Sequence, residues 1–320
     1  MKHLLAVVPG RESPQRMRRL AGAVLALGLA VFGLVSFTGY AAAYVSNRGF
    51  GAPVSTVAAS EQGRIVTIAV HSAALGGATE PALVYLPSAY RRDPTRRFAV
   101  VYLLHGTPGD PRTAYVNSLH VGPRMDSLIA AGRVHPMIVV MPPGSPSTYS
   151  GATEWANGPQ ARTHWFTYLT HDVVHTMDTR LRTISRAGAR GIGGFSSGAD
   201  AAINAALLEP GVFRVAEGWS GDYRQSPASV GHNAALVRRY SAVRTAAGAA
   251  PGLARAGSHV YLYAGRADKV LPSTIAVADD LRRAGVHVRL DVTRRGHAWA
   301  LWASRFDGAL VYFSRHLATR

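Results

Sequence analysis

An apolar run of strand length that reaches two glycine-bracketed serines and passes straight into an alanine-rich helix constrains this chain more than any other stretch. It spans residues 190–202, "RGIGGFSSGADAA". Gly194-Phe195-Ser196-Ser197-Gly198 fits G-x-S-x-G with Ser196 at the centre. A register centred on Ser197 fails, because Phe195 and Ala199 would stand at the glycine positions. A strand-to-helix turn this sharp strains the backbone of its central residue, and side chains two residues away would collide. The following helix, "ADAAINAALLEPG", is stopped by Pro210-Gly211, and its N-terminus favours negative charge developing beside the serine. A Gly/Ser loop can carry the same five letters; the strand before and the helix after point to Ser196 as a nucleophile.

The remaining patterning agrees with a sheet that can hold such a turn. Apolar runs of strand length, "RIVTIAV", "ALVYLPS", "RFAVVYLLHG", "MIVVMPPG", "ARGIGGF", "FRVAEGWSG", "HVYLYAG" and "HVRLDV", recur from Arg64 onward. Helical patterns are expected between and after them, around 124–133, 164–181, 199–208, 273–284 and 298–317. This alternation predicts one α/β domain over 63–320 with a mainly parallel sheet flanked by helices.

A serine nucleophile needs a base and an acid, and in a strand-turn-helix setting they follow it in the order acid, then histidine. Of the later histidines, His259 and His287 begin strands and so lie at the wrong edge, and His316 sits in a terminal helix. His297, in "TRRGHAWALW", follows the last strand at the edge where catalytic loops gather. Asp268, in "YLYAGRADKVLPS", lies between a strand and a helix on the same edge, where it would orient the imidazole. Asp279, Asp280 and Asp291 are placed in a helix or a strand. The oxyanion needs two backbone N–H groups. One is expected from Ser197 and the other from the loop after "VVYLLHGTPGD", where Pro108 cannot donate and the choice falls between Gly106 and Thr107.

The N-terminus reads differently. Arg16, Arg18 and Arg19 precede an apolar stretch without charge from Leu20 to Asn47, and about 20 apolar residues suffice to cross a bilayer. The expected layout is a basic cytoplasmic tail over 1–19, a transmembrane anchor or signal peptide over 20–45 and a linker over 46–62. The basic flank places the catalytic domain outside, membrane-attached or secreted. The chain has no cysteine, which excludes disulfides, thiolate catalysis and Cys-ligated zinc. Its net charge of +17 is carried almost wholly by arginine, with lysine only at positions 2 and 269. The arginines are scattered rather than clustered on one element. That suits a basic surface near anionic envelope polymers or lipids and argues against a nucleic-acid partner.

Taken together, "YLLHGTPGD", "GGFSSGADAA", "GWSGD" and "GHAWALW" resemble, in order and spacing, the esterase D and antigen 85 mycolyltransferase group, the "putative esterase" branch of the α/β-hydrolases. The resemblance covers roughly residues 82–317. It implies an α/β-hydrolase fold, a Ser196–Asp268–His297 triad and an oxyanion hole made by the N–H groups of Thr107 and Ser197. It also implies that Trp299 and Trp302 pack the histidine loop, with Ala298 where the group carries an acid. "TEWANGP" falls where the group has a substrate-side loop, which makes Trp155 a substrate-side residue, while Glu154 reads better as packing; Trp299, beside the histidine, is expected to reach substrate as well. The implied activity is hydrolysis of a small-molecule, lipid or sugar ester, or acyl transfer to a sugar hydroxyl, without cofactor or metal.

Two other classes remain. "HDVVH", His171 to His175, spaces two histidines on one helical face as a zinc site would, with Asp172 where a protease has glutamate. A catalytically silent envelope-binding protein on the same scaffold would need a blocked pocket. Within residues 223–257, expected to cover the site as an amphipathic lid, Arg238, Arg239 and Arg244 either meet substrate or form a solvated basic face.

Overall fold

The computed structural model describes residues 57–144 and 154–320, all within one compact unit, 49–320. The expected tail and anchor lie outside the described residues, as does most of the linker. Among the described residues no helix is long and apolar enough to cross a membrane.

Eight strands form one sheet: β1 (Arg64–Ser72), β2 (Ala78–Leu86), β3 (Val100–Leu104), β4 (Ile138–Met141), β5 (Arg190–Phe195), β6 (Val215–Trp219), β7 (His259–Gly265) and β8 (His287–Thr293). Their order across the sheet is β1-β2-β4-β3-β5-β6-β7-β8. β1 and β2 pair antiparallel, β2 joins β4 antiparallel, and every pairing from β4 to β8 is parallel. All eight strands fall on the runs read from sequence.

The central strands are buried on both faces, which is why they read as continuous apolar runs rather than alternating ones. In β3, Val100, Tyr102 and Leu104 face one core while Val101 and Leu103 face the other. The helices are α1 (Ser88–Arg92), α2 (Val121–Ala130), a continuous helical run α3 over 165–180, α4 (Ser197–Leu208), α5 (Ala234–Arg239), α6 (Ala242–Arg255), α7 (Leu271–Arg283) and α8 (Trp299–His316). Helices α3, α4, α6 and α7 cover the first core; α2 and α8 cover the second. With this strand order the molecule has an α/β-hydrolase-like fold.

Three expectations shift. Helix α2 begins at Val121, not near Arg124, because Pro123 is tolerated in a first helical turn. The short α1 carried too little periodicity to be read. The segment read as a lid covers the site only at its start, where Arg224, Gln225, Ser226 and Pro227 line the cavity on Ser196; farther along, α6 is a flank that buries Ala242, Ala246, Ala250 and Leu253, spaced four, four and three residues apart, against α4 and α7.

Candidate active site

The catalytic edge is the one at which the parallel strands end, where open α/β sheets bind their ligands. Ser196 follows β5 directly and caps α4 with φ 56° and ψ −128°. This is the strained turn inferred from the glycines, and the space around it explains them. A Cβ on Gly194 would lie 2.3 Å from the Leu104 carbonyl oxygen, and one on Gly198 2.1 Å from the same atom. That atom is backbone and cannot yield, so the elbow lies flush on the end of β3. The Ser196 N–H is held by the Trp219 carbonyl of β6 at 3.0 Å.

Asp268 and His297 arrive from the ends of β7 and β8. Asp268 Oδ2 lies 3.1 Å from His297 Nδ1, and Oδ1 lies 3.3 Å from it. A carboxylate only accepts, so Nδ1 carries the proton and Nε2 is left to accept from Ser196 Oγ, 3.2 Å away. Asp268 is buried, which by itself pushes its carboxyl up. The His297 hydrogen bond and the Val270 N–H on Oδ1 at 3.1 Å outweigh this and hold it below the usual range. The acid therefore stays ionised behind the imidazole. Phe195, the variable residue of the elbow, stacks on Trp302 at 4.4 Å and meets Trp299 at 5.0 Å, while Trp302 sets its edge to the His297 ring at 5.2 Å. The tryptophans following the histidine thus clamp its loop onto the elbow, and Trp299 packs there rather than lining the cavity beside the serine.

Thr107 reaches the same place from the end of β3. His105, buried beneath it, has Nδ1 2.9 Å from the Gly106 carbonyl oxygen and accepts from the Gly144 N–H on Nε2 at 3.2 Å. Its Nδ1 therefore carries the proton that Gly106 O accepts, and burial lowers its pKa, keeping the ring neutral. In a planar trans peptide the N–H points opposite the C=O. Fixing the Gly106 carbonyl therefore aims the Thr107 N–H the other way. Ser197 opens α4, so its N–H has no intrahelical acceptor. Neither N–H has a protein acceptor among the described residues.

A cavity of about 450 Å³ opens on Ser196, Ser197, Thr107 and His297. Its other walls are mixed, with Glu154, Asp200, Asp222, Arg224, Gln225 and Lys269 beside Pro227 and Val270. Burial raises the carboxyl of Asp200 well above the ordinary range, and the nearby Glu154 and Asp222 charges push the same way against the Tyr223 N–H it accepts at 2.7 Å. Burial likewise raises Glu154, with Asp222 adding to it and hydrogen bonds from the Ser229 hydroxyl and the Ser226 backbone opposing it.

These placements correct the reading of "TEWANGP". Trp155, expected on the substrate side, is 1% exposed and donates its Nε1–H to the His105 carbonyl at 3.0 Å. Glu154, read as packing, lines the cavity. Both residues have positive φ, 50° and 69°, and this double left-handed turn sends one side chain to the cavity and the next into the core. Arg238, Arg239 and Arg244 are not among the residues lining the cavity, since they belong to α5 and the flanking α6. In "HDVVH", Asp172 accepts from the Ser72 hydroxyl and the Ala74 N–H, tying α3 to the β1–β2 turn. No metal-binding group of His, Asp or Glu is found among the described residues. Asp200, Asp222 and Lys269 were not singled out from sequence. Lys269, as one of two lysines in an arginine-rich chain, was the one visible hint.

A family model described as "Putative esterase" matches residues 72–313. Among solved structures, the chain is similar to a ferulic acid esterase at 22% identity and a TM-score of 0.70, covering 80% of this chain and 99% of that one. It is similar to an S-formylglutathione hydrolase from Agrobacterium tumefaciens at 20% identity and 0.65, covering 83% and 99%. It also matches MPT51 (FbpC1) of Mycobacterium tuberculosis at 16% identity and 0.58, covering 80% and 99%.

Proposed function

This chain belongs to the "Putative esterase" family, and from that premise we propose that it is an extracytoplasmic serine esterase that cleaves carboxylic esters through an acyl-enzyme. The observation that carries the proposal is the continuous chain Asp268–His297–Ser196, at 3.1 and 3.2 Å, ending on a nucleophile held at φ 56° at the mouth of an open cavity.

Ser196 Oγ attacks the ester carbonyl carbon as its proton passes to His297 Nε2, and Asp268 stabilises the imidazolium that forms. The carbonyl oxygen becomes an oxyanion in front of the Thr107 and Ser197 N–H groups, each worth about 3–4 kcal/mol where such donors have been removed elsewhere. Collapse breaks the bond to the leaving alcohol, which takes the proton from Nε2 and departs. Water, deprotonated by the same nitrogen, then attacks the Ser196 ester; the second collapse releases the acid and restores the serine hydroxyl. The extracytoplasmic placement draws on the basic flank and uncharged stretch of the N-terminus.

A second reading replaces water with a sugar hydroxyl. The polar side chains in the walls favour it, since Glu154, Asp200, Asp222 and Gln225 offer acceptors and donors to a hydroxyl-rich molecule. The open cavity speaks against a silent scaffold, which would need it blocked. The test is intact mass of the full chain in detergent after exposure to a fluorophosphonate. One adduct on the wild type and none on Ser196→Ala is expected, and an unlabelled wild type would sink the proposal. Adding trehalose or another sugar to an ester assay then separates the acceptors: a new sugar ester means transfer, free acid alone means hydrolysis.

A further inference from the structure

The elbow has two serines, and the reaction uses only the backbone of the second. Its side chain is nevertheless placed with care. Ser197 is 8% exposed, and its Oγ–H donates to Thr107 Oγ1 at 2.9 Å, across ninety positions of sequence.

What that bond holds is visible from the rest of the loop. On one side of Thr107 the chain is secured by His105, through the Gly106 carbonyl, the Gly144 N–H and the Trp155 indole. On the other, Pro108 has no N–H to offer, and the next tie is Asp110, whose carboxylate accepts from the Arg112 and Thr113 N–H groups at 2.9 Å each. Between these anchors, the bond from Ser197 is the one hydrogen bond that Thr107 makes among the described residues, by backbone or side chain. The fit is close: a Cβ on Gly106 would stand 3.1 Å from Ser196 Cβ. The N–H that must meet the oxyanion is aimed by His105 through the Gly106 carbonyl. Beyond that peptide the chain makes no hydrogen bond among the described residues before Asp110 except the one at Thr107 Oγ1, which runs to the residue that supplies the other N–H.

We propose that the Ser197 hydroxyl is a positioning group of the oxyanion hole, which fastens the Thr107 segment to the first turn of α4 so that both N–H donors are held as one unit. The role rests on the serine-esterase reading of Ser196. Catalytic groups need to sit within about 0.5 Å of the productive geometry, and a misplacement of about 1 Å costs on the order of a hundredfold. The oxyanion exists only after attack, so loosening a donor weakens the transition state while leaving ground-state binding alone.

The test is a double-mutant cycle on the full chain with a p-nitrophenyl ester. Ser197→Ala and Thr107→Val are each expected to lower kcat roughly tenfold, with KM within about twofold of wild type. The double variant should be no slower than either single one, because both remove the same bond. Thr107→Ser, which keeps the hydroxyl, should lose clearly less kcat than Thr107→Val. Affinity for an alkyl boronic acid, which forms a tetrahedral adduct on Ser196, should fall in parallel with kcat, a change that a purely structural role would not produce at unchanged melting temperature. A Ser197→Ala variant with kcat within twofold of wild type, or losses that multiply in the double variant, would overturn the proposal. If fluorophosphonate leaves the wild type unlabelled, the esterase reading fails and takes this role with it. Labelling with multiplied losses removes the positioning role alone.

Discussion

Replacing Asp268 by asparagine tests the triad where its geometry makes a definite demand. In the wild type, Oδ1 accepts the Val270 N–H at 3.1 Å while Oδ2 faces His297 Nδ1 at 3.1 Å. Asparagine has one acceptor and one donor for these two positions. The Val270 N–H can only donate, so the amide oxygen stays there and the NH2 turns to His297. Two donors cannot face each other, so Nδ1 gives up its proton and Nε2 takes it, leaving no acceptor for the Ser196 hydroxyl. The shape is kept and the tautomer is wrong, a change worth on the order of 10⁴ in kcat where such a swap has been made in a serine triad. That corresponds to about 5.5 kcal/mol. The assay is kcat for a p-nitrophenyl ester at pH 8, with the full chain and a fluorophosphonate labelling rate alongside. A loss of less than tenfold in both would show that the Val270 N–H does not orient the amide or that another acid serves His297. The variant also carries a pH signature. The folded carboxyl is held below its unfolded value, so its contribution to stability is present above about 3.8 and is lost as pH falls through the folded value. The stability gap between wild type and Asp268→Asn should therefore narrow below pH 4.

Gly198→Ala sets a methyl 2.1 Å from the Leu104 carbonyl oxygen; overpacking of this kind costs about 1–3 kcal/mol and should also depress kcat, whereas Gly248→Ala, exposed in mid-α6 with nothing within 4 Å, should stabilise by about 0.5–1 kcal/mol. Thermal unfolding of the two variants decides both. His259 stacks on His316 at 4.1 Å and on His287 at 5.0 Å, and burial, those two rings and Arg214 lower it to about 4. Its folded pKa lies below 6.5, so wild-type stability should drop as pH falls from 6.5 towards 4, and His259→Phe should flatten that part of a denaturant-midpoint profile. Trp155→Phe removes the indole N–H from the His105 carbonyl and should lower kcat several-fold with little change in KM, because the bond supports the oxyanion loop and not the substrate. An equal change in KM would return Trp155 to the substrate side.

The parts of the site that were legible in the sequence are those whose chemistry requires particular residues at particular spacings. The elbow shows itself because Gly194 and Gly198 abut one carbonyl oxygen, and no other residue fits either place. His297 and Asp268 could be picked out because a parallel sheet sends the loops after β7 and β8 to the same edge as the serine, which removes His259 and His287 to the opposite end. The cavity walls were hidden for the converse reason. Asp200 is an ordinary first-turn acid by its position in α4, and it becomes a pocket residue only because β6 ends beside it and delivers Tyr223 and Asp222. Glu154 and Trp155 misled because both lie in a left-handed turn, where neither strand nor helix periodicity tells which side chain meets the cavity and which the core. The lid was legible only in part: Arg224 to Pro227 do line the cavity, but α6 is amphipathic, and amphipathicity says that a face is buried without saying against what. The stripe Ala242, Ala246, Ala250 and Leu253 fits a close approach to the small side chains of α4 at least as well as it fits a cover over the site. Reading function from such a chain is thus safest along the catalytic edge, where backbone geometry dictates residue type. It is weakest around the cavity, where residues distant in sequence meet and where the choice of substrate is made.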